Sequence, residues 1–336
     1  MNVWLQFTLC VLAIGFAGAK LSVYGDVIAD KTHLGGTWIG LILLATVTSL
    51  PELATGISSV GIVDVPDIAL GDALGSCVFN LLLIAILDLL KRDTSLYSQA
   101  SRGHILSAGF GVLLIGVVGL NLLLADNGFN VAVGHVGIYA PVIVLLYFVT
   151  MRTLFRYESQ LLQTAADQQP DQYPLLSLRQ VIYRYMMAAS VVVAAGIWLP
   201  YVAEDLARIM GWKQSFVGTL FVAFVTSLPE MVVTIAALRI GALDMAVGNL
   251  LGSNLFNILI LAIDDVVYVK GPLLSHVSPS HSSSVFTTMM MSAAVIIGLL
   301  YRREHRVLRS VNWPSVVLLI LYLTNTFMLY SYQGTH

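Results

Sequence analysis

Ten stretches of apolar residues, each long enough to carry a helix across a bilayer, follow one another along this chain with only short polar breaks between them. The windows fall at about 3–24, 36–60, 66–90, 104–124, 131–150, 181–202, 215–238, 243–268, 285–301 and 313–332. A hydrocarbon core about 30 Å thick needs about 20 predominantly apolar residues per helical span. With no water in that core, backbone polar groups must pair within the segment, which for spans of this length means helix. Only 11% of the 336 residues are charged, less than half the share of about 25% usual in a soluble domain. A soluble globule is excluded, and the expected fold is an all-α polytopic membrane protein of about ten transmembrane helices.

The polar residues set the organisation. The longest polar interval, Arg152 to Gln180, lies near the middle of the chain and reads as a linker between two halves of five spans each. The domains expected are therefore a first half over 1–150, a linker over 151–180 and a second half over 181–336. Cytoplasmic loops of membrane proteins carry an excess of Lys and Arg. Numbered from the N-terminus, the odd loops hold 14 of the 17 basic residues, and the even loops hold only Arg208, Lys213 and Lys270. This predicts both termini outside and the linker in the cytoplasm. The N-terminal segment has no basic residue ahead of its apolar run and reads as a first membrane helix rather than a cleaved signal peptide.

A net charge of −2 offers no basic footprint for nucleic acid. Cys10 and Cys77 both lie in apolar stretches, so neither a disulfide framework nor a cysteine metal site is expected. The seven histidines show no ligand spacing. The inferred partners are the bilayer and transported cations, and the sequence points to no protein partner.

Two segments repeat. Val47 to Glu52 and Val225 to Glu230 share the hexapeptide VTSLPE, and each is followed by a second block, Gly71-DALGSCVFN and Gly248-NLLGSNLFN. The two signatures span 40–80 and 218–257. Five crossings separate them, an odd number, so the second copy is inverted relative to the first. Inverted repeats are characteristic of secondary transporters, with ion sites near the bilayer midplane at the repeat interface.

The repeated residues suit cations. Glu52 and Glu230 lie in apolar spans, where an ionised carboxylate is costly without a partner, and no Lys or Arg occupies a matching position. A bound proton, a bound cation, or both in turn would resolve that cost. Pro51 and Pro229 remove a backbone donor and clash with the carbonyl four residues back, which distorts the turns holding Thr48, Ser49, Thr226 and Ser227. Carbonyl oxygens freed beside carboxylates are hard ligands suited to Ca²⁺, Na⁺ or Mg²⁺. Asp72, Ser76 and Asn80 recur at intervals of four, as do Asn249, Ser253 and Asn257, so each trio shares one helix face. Gly71 with Gly75, and Gly248 with Gly252, form small-residue pairs that allow close helix approach.

At these residues the chain resembles the calcium/cation antiporter superfamily, most nearly its sodium/calcium exchanger branch. The resemblance covers both signatures, the ten-span plan and the middle linker. It implies that Glu52 and Glu230 are central carboxylates shared by Ca²⁺ and Na⁺, and that Thr48 and Thr226 offer backbone carbonyls. It implies that the Ala45 and Ala223 carbonyls and the Ser76 and Ser253 hydroxyls bind an outer sodium ion. Asn80 and Asn257 match positions around the central site, and Ser49 and Ser227 are retained members of the motif. The chain departs from the family pattern at Val47 and Val225, where glycine is usual, at Asp72, where asparagine is usual, and at Cys77, where a second asparagine is usual. Asp72 is read either as an extra cation or proton ligand or as a water-facing residue near the span entrance.

The expected function is Na⁺-driven Ca²⁺ exchange by alternating access, with an H⁺-coupled antiporter as the alternative and K⁺ as a further candidate counter-ion. A passive channel would leave the inverted duplication without a purpose. No catalytic motif is present, so the chain is not read as an enzyme, and no cofactor is implied. The setting expected is a plasma or inner membrane. The linker is too short for a large calcium-sensing domain. Asp88, Asp264 and Asp265 close the third and eighth spans and are expected at the membrane interface.

Overall fold

The computed structural model describes residues 2–31, 44–91, 95–162, 177–301 and 312–332. The first half holds α1 (Val3–Lys31), α2 (Leu50–Ser58, continued by a π turn, Ser59–Val63), α3 (Pro66–Leu90), α4 (Gly103–Asp126) and α5 (Tyr139–Leu162). The second holds α6 (Leu178–Met210), α7 (Gln214–Thr226), α8 (Leu228–Arg239), α9 (Leu243–Val267), α10 (His281–Tyr301) and α11 (Trp313–Ser331). Among the described residues, eight helices are long and apolar enough to cross a membrane. The bent pair α7 and α8 is apolar enough to count as a ninth when the two helices are taken as one span. The expected span at 36–60 begins outside the described residues; its described part is helical over 44–48, breaks at Ser49 and resumes as α2.

Helix boundaries follow local chemistry. Pro66 and Pro314 open α3 and α11, where a missing N–H costs nothing. Gly211 ends α6 in the left-handed conformation, with φ 69°. The span expected at 131–150 is corrected at its start: residues 132–133 and 136–137 pair as a small antiparallel hairpin, and the helix begins at Tyr139. Gly134, with φ 66°, lets the chain reverse there. α5 continues to Leu162 and α6 begins at Leu178, so helix occupies both ends of the expected 151–180 linker.

The halves pack as pseudo-symmetric partners. α1 lies on α6 and α3 on α9; α2 packs on α6 as α8 packs on α1; α5 packs on α9 as α11 packs on α3. α3 and α9 are buried on nearly all sides and form the centre. Leu113, Leu120, Leu145, Phe148, Leu323 and Phe327 are exposed on outer helices, as a lipid-facing rim requires. Lipid tails are as apolar as leucine, so close backbone packing rather than hydrophobic transfer holds such helices together. A Cβ at Gly75 would overlap the Thr219 backbone, and one at Gly71 would lie 2.9 Å from the Thr219 nitrogen. These glycines seat α3 directly against the wide turn of α7 at Gly218–Val222.

Asp88, Asp264 and Asp265, near the ends of α3 and α9, are covered by protein, with Asp88 1% exposed and both Asp264 and Asp265 fully buried. Two of them are cross-repeat anchors. Asp88 accepts from Leu96 N (3.1 Å), Asn312 N (3.1 Å) and Ser315 Oγ (2.7 Å), and so holds the start of α11. Asp265 accepts from Leu273 N (2.7 Å), Gly137 N (2.8 Å) and the Tyr139 hydroxyl, and holds the start of α5. Helix starts leave backbone N–H groups unpaired, and carboxylates satisfy that need even when covered by neighbouring loops. A second pair of links joins His281 Nε2 to Asp67 (2.9 Å) and His104 Nε2 to Asp244 (3.0 Å). Asp64 pairs with Lys270, which gathers the connections after α2 and α9 at one end of the bundle. The Asp64 carboxylate holds the Lys270 ammonium above the ordinary lysine range.

Candidate cation site

The two VTSLPE segments adopt matching breaks. Ser49 has φ −89°, ψ 14° and Ser227 has φ −83°, ψ 7°, both in the sparsely populated bridge region. Pro51 and Pro229 follow within the next turn and cannot donate to the carbonyls of Val47 and Val225. The α7 to α8 break bends the helix by 46°. Helical bonding then resumes from Leu53 N to Ser49 O (3.2 Å) and from Met231 N to Ser227 O (3.1 Å). The break therefore creates two new helix starts inside the bundle, with Glu52 and Glu230 in their first turns. A helix N-terminus carries partial positive charge and suits a carboxylate.

Glu52 is 1% exposed and Glu230 is fully covered. Their partners come in a reciprocal pattern. Ser49 Oγ donates to Glu230 Oε1 at 2.8 Å, and Ser227 Oγ donates to Glu52 Oε1 at 3.3 Å. Within each repeat, Ser76 Oγ donates to Glu52 Oε1 and Ser253 Oγ to Glu230 Oε1, both at 3.3 Å. Thr226 Oγ1 donates to Asp72 Oδ1 at 2.7 Å, while its counterpart Thr48 Oγ1 lies 3.5 Å from Asn249 Oδ1. Thr48 and Ser253 hydroxyls meet at 3.3 Å, and Thr226 and Ser76 at 3.4 Å. The Ala45 carbonyl accepts from Thr48 Oγ1 (3.1 Å) and from Ser253 Oγ (3.5 Å); the Ala223 carbonyl accepts from Thr226 Oγ1 (3.3 Å).

The structure thus links Glu52, Glu230, Ser49, Ser227, Thr48, Thr226, Ala45, Ala223, Ser76, Ser253, Asp72 and Asn249 in two hydrogen-bonded chains across the repeat interface. Asp72 is 1% exposed, which removes the reading of a water-facing residue at the span entrance. Asn80 and Asn257 are fully buried on the same faces of α3 and α9. Sequence reasoning did not single out Asn254. Its Oδ1 accepts from Asn80 Nδ2 at 3.0 Å, and its Nδ2 donates to the Cys77 carbonyl at 3.3 Å. The signal was present in the second block, where Asn254 occupies the place that Cys77 takes in the first.

Several oxygens in this assembly have no hydrogen-bond partner among the described residues: Glu52 Oε2, Glu230 Oε2, Asp72 Oδ2, Asn80 Oδ1 and Asn257 Oδ1. A buried unpaired carboxylate oxygen costs free energy unless a proton or cation meets it. Every one of these atoms is a hard donor suited to Ca²⁺ or Na⁺. Among the described residues no three His, Cys, Asp or Glu side chains converge on one metal-sized point, so the donor set is mixed. Carboxylates would act together with hydroxyls, amides and backbone carbonyls.

Comparison with known proteins gives the same architecture. The family model described as sodium/calcium exchanger protein matches residues 2–156 and 181–331. Inner membrane protein YrbG of Escherichia coli is 27% identical over 303 residues, covering 90% of each chain. Sodium/calcium exchanger MaX1 of Methanosarcina acetivorans is 27% identical over 333 residues, covering 90% of this chain and 91% of that one. Among solved structures, the crystal structure of the H⁺/Ca²⁺ exchanger CAX superposes with a TM-score of 0.73 at 16% identity, over 99% of this chain and 86% of the other. At that identity the likeness establishes the fold.

Proposed function

The chain belongs to the sodium/calcium exchanger protein family, and from that premise we propose that it is a secondary active antiporter exchanging Ca²⁺ for Na⁺ by alternating access. The observation that carries this reading is the set of unpartnered buried oxygens on Glu52, Glu230, Asp72, Asn80 and Asn257. Two ionised glutamates match one divalent ion or two monovalent ions. Occupancy by one kind of ion then excludes the other, and the exclusion couples opposite fluxes.

In this reading each residue has a local task. Glu52 and Glu230 supply the charge. Ser49 and Ser227 orient the carboxylate of the opposite repeat, and Ser76, Ser253, Thr48 and Thr226 provide hydroxyls around it. The Ala45 and Ala223 carbonyls, beside the broken turns, are the backbone donors, and Asn249, Asn80 and Asn257 complete the cage. Rocking of one inverted repeat against the other opens the midplane site to either side. The reciprocal serine to glutamate bonds join the moving parts at the ion, so filling the site and closing the interface are coupled.

The domain plan of two five-span repeats joined through 151–180, with both termini outside and the linker cytoplasmic, belongs to the same proposal. Its support is the excess of Lys and Arg in the odd loops. We place the protein in a plasma or inner membrane, in keeping with its likeness to an inner membrane protein.

Asp72 favours a second reading, in which protons replace sodium as the counter-ion. It puts a carboxylate where the other repeat has Asn249. The deciding experiment is ⁴⁵Ca²⁺ uptake into vesicles carrying the protein under an imposed sodium, potassium or pH gradient. Uptake driven by sodium alone supports the first reading, and uptake driven by pH alone supports the second. Flux that needs no counter-ion would sink both in favour of a channel.

A further inference from the structure

Asp264 is fully buried in α9, and neither of its carboxylate oxygens has a hydrogen-bond partner among the described residues. It faces α2 at Gly56: a Cβ there would lie 2.5 Å from Oδ2 and 2.7 Å from Oδ1. The neighbouring Thr55 is also fully buried, with its hydroxyl unpartnered among the described residues. Thr55 and Gly56 lie three and four residues past Glu52, hence on the same face of α2, one turn toward the end of the bundle where Asp64 meets Lys270. The charges that bear on Asp264 are those of Asp72 and Asp265, both acidic. Asp265 is already committed to three donors.

Repeat symmetry does not account for this group. With the register that aligns Asp88 with Asp265, the counterpart of Asp264 is Leu87. With the register that aligns Glu52 with Glu230, the counterparts of Thr55 and Gly56 are Val233 and Thr234. One half therefore has Leu87 and Val233 here, together with Thr234, whose hydroxyl accepts from Asn249 Nδ2 at 3.5 Å. The other opens it with glycine and sets a carboxylate against that glycine, with the Thr55 hydroxyl next to it along α2 on the side toward Gly196 of α6. A protonated aspartic acid would donate to an acceptor, and neither Asp264 oxygen has a hydrogen-bond partner among the described residues.

We propose that Asp264 and Thr55 form an additional site for one alkali-metal cation, Na⁺ in the exchange described above, on the path between the central glutamates and the Asp64–Lys270 end of the bundle. A single carboxylate balances a single charge, and the hydroxyl and the backbone oxygens of α2 are hard donors of the kind sodium takes. The site would hold a counter-ion entering or leaving while the central site is occupied.

This inference rests on the proposed antiport, so its test reads binding as well as transport. Thermal unfolding of the detergent-purified protein is followed in NaCl against choline chloride, for wild type, Asp264→Asn, Asp264→Leu and Thr55→Val. Sodium-dependent exchange of ⁴⁵Ca²⁺ is measured in parallel. The expected result is that Asp264→Asn raises the half-saturating sodium concentration at least fivefold, with a smaller rise for Thr55→Val. Half-saturation by Ca²⁺ should stay within twofold, and part of the stabilisation by NaCl should be lost. Should Asp264→Asn fail to fold, Asp264→Leu, which restores the residue of the other repeat, and Thr55→Val carry the same readings. Unchanged sodium dependence, equal losses for sodium and calcium, or a change seen only with pH would overturn the site. If wild type exchanges Ca²⁺ against pH alone, sodium coupling fails as a function, and loss of NaCl stabilisation in the variants still decides the inference.

Discussion

Ser49 Oγ donates to Glu230 Oε1 at 2.8 Å across a sequence separation of 181 residues, so the serine of one repeat orients the carboxylate of the other. Ser227 does the same for Glu52 at 3.3 Å. Each acidic group is thus held jointly by both halves, and separating the halves would release both carboxylates together. Side chains that orient a metal-binding carboxylate typically contribute about 10–100-fold in affinity. Ser49→Ala should therefore raise the half-saturating Ca²⁺ concentration about 10–100-fold while the protein remains folded. Ser227→Ala, with the longer bond, should have the smaller effect; vesicle uptake across a Ca²⁺ series reads both.

Glu52→Gln and Glu230→Gln keep shape and remove charge. Either should depress exchange by more than the serine variants, to about a hundredth of wild type or less, because a ligand is lost rather than its support. Glu52→Gln exchanging Ca²⁺ at the normal rate would contradict the central role of that carboxylate.

Protons compete with cations for these oxygens, since a carboxylate must be ionised to act as ligand. Acidification should raise the half-saturating Ca²⁺ concentration, by about tenfold per pH unit where one proton is displaced per ion bound. The sign follows directly: lower pH protonates the ligand, weakens Ca²⁺ and leaves the fold intact. A pH series at fixed sodium gradient measures it, and an affinity that improves on acidification would contradict the competition.

Gly75→Ala should be poorly tolerated, because the added methyl meets the Thr219 backbone, which cannot swing aside as a side chain can. Overpacking of this kind costs about 1–3 kcal/mol or more. Gly252→Ala meets only the Ala45 methyl, at 3.0 Å, and should cost less. Thermal unfolding in detergent separates the two.

Asp88→Ala should destabilise without altering ion preference. It strands the N–H groups of Leu96 and Asn312, while the Ser315 hydroxyl keeps its bond to the Tyr97 hydroxyl, and buried donors left unpaired cost about 1–3 kcal/mol each. Melting temperature should fall while the ratio of sodium to calcium half-saturation holds.

The sequence by itself determined the membrane class and the duplication, and it pointed to the residues of the candidate site apart from Asn254. Apolar length, the VTSLPE repeat and spacings of four along a helix are local or periodic properties, and they survive folding unchanged. The Asp64–Lys270 link joins two of the even loops, and the His104–Asp244 link joins two of the odd ones. Only tertiary structure decided which oxygens share hydrogen bonds and which are left over, because the cross-repeat pairings join residues 150 to 208 positions apart. From sequence, Asp72 reads as a ligand or a water-facing residue, and Asp264 as a residue of the membrane interface. One became the acceptor of Thr226 and the other an unpartnered carboxylate against Gly56. Asp88 and Asp265, expected at the membrane interface, are covered by protein because the segments that start α11 and α5 bring backbone donors to them. A helix end becomes exposed or covered according to what packs over it, and that is a property of the assembled bundle.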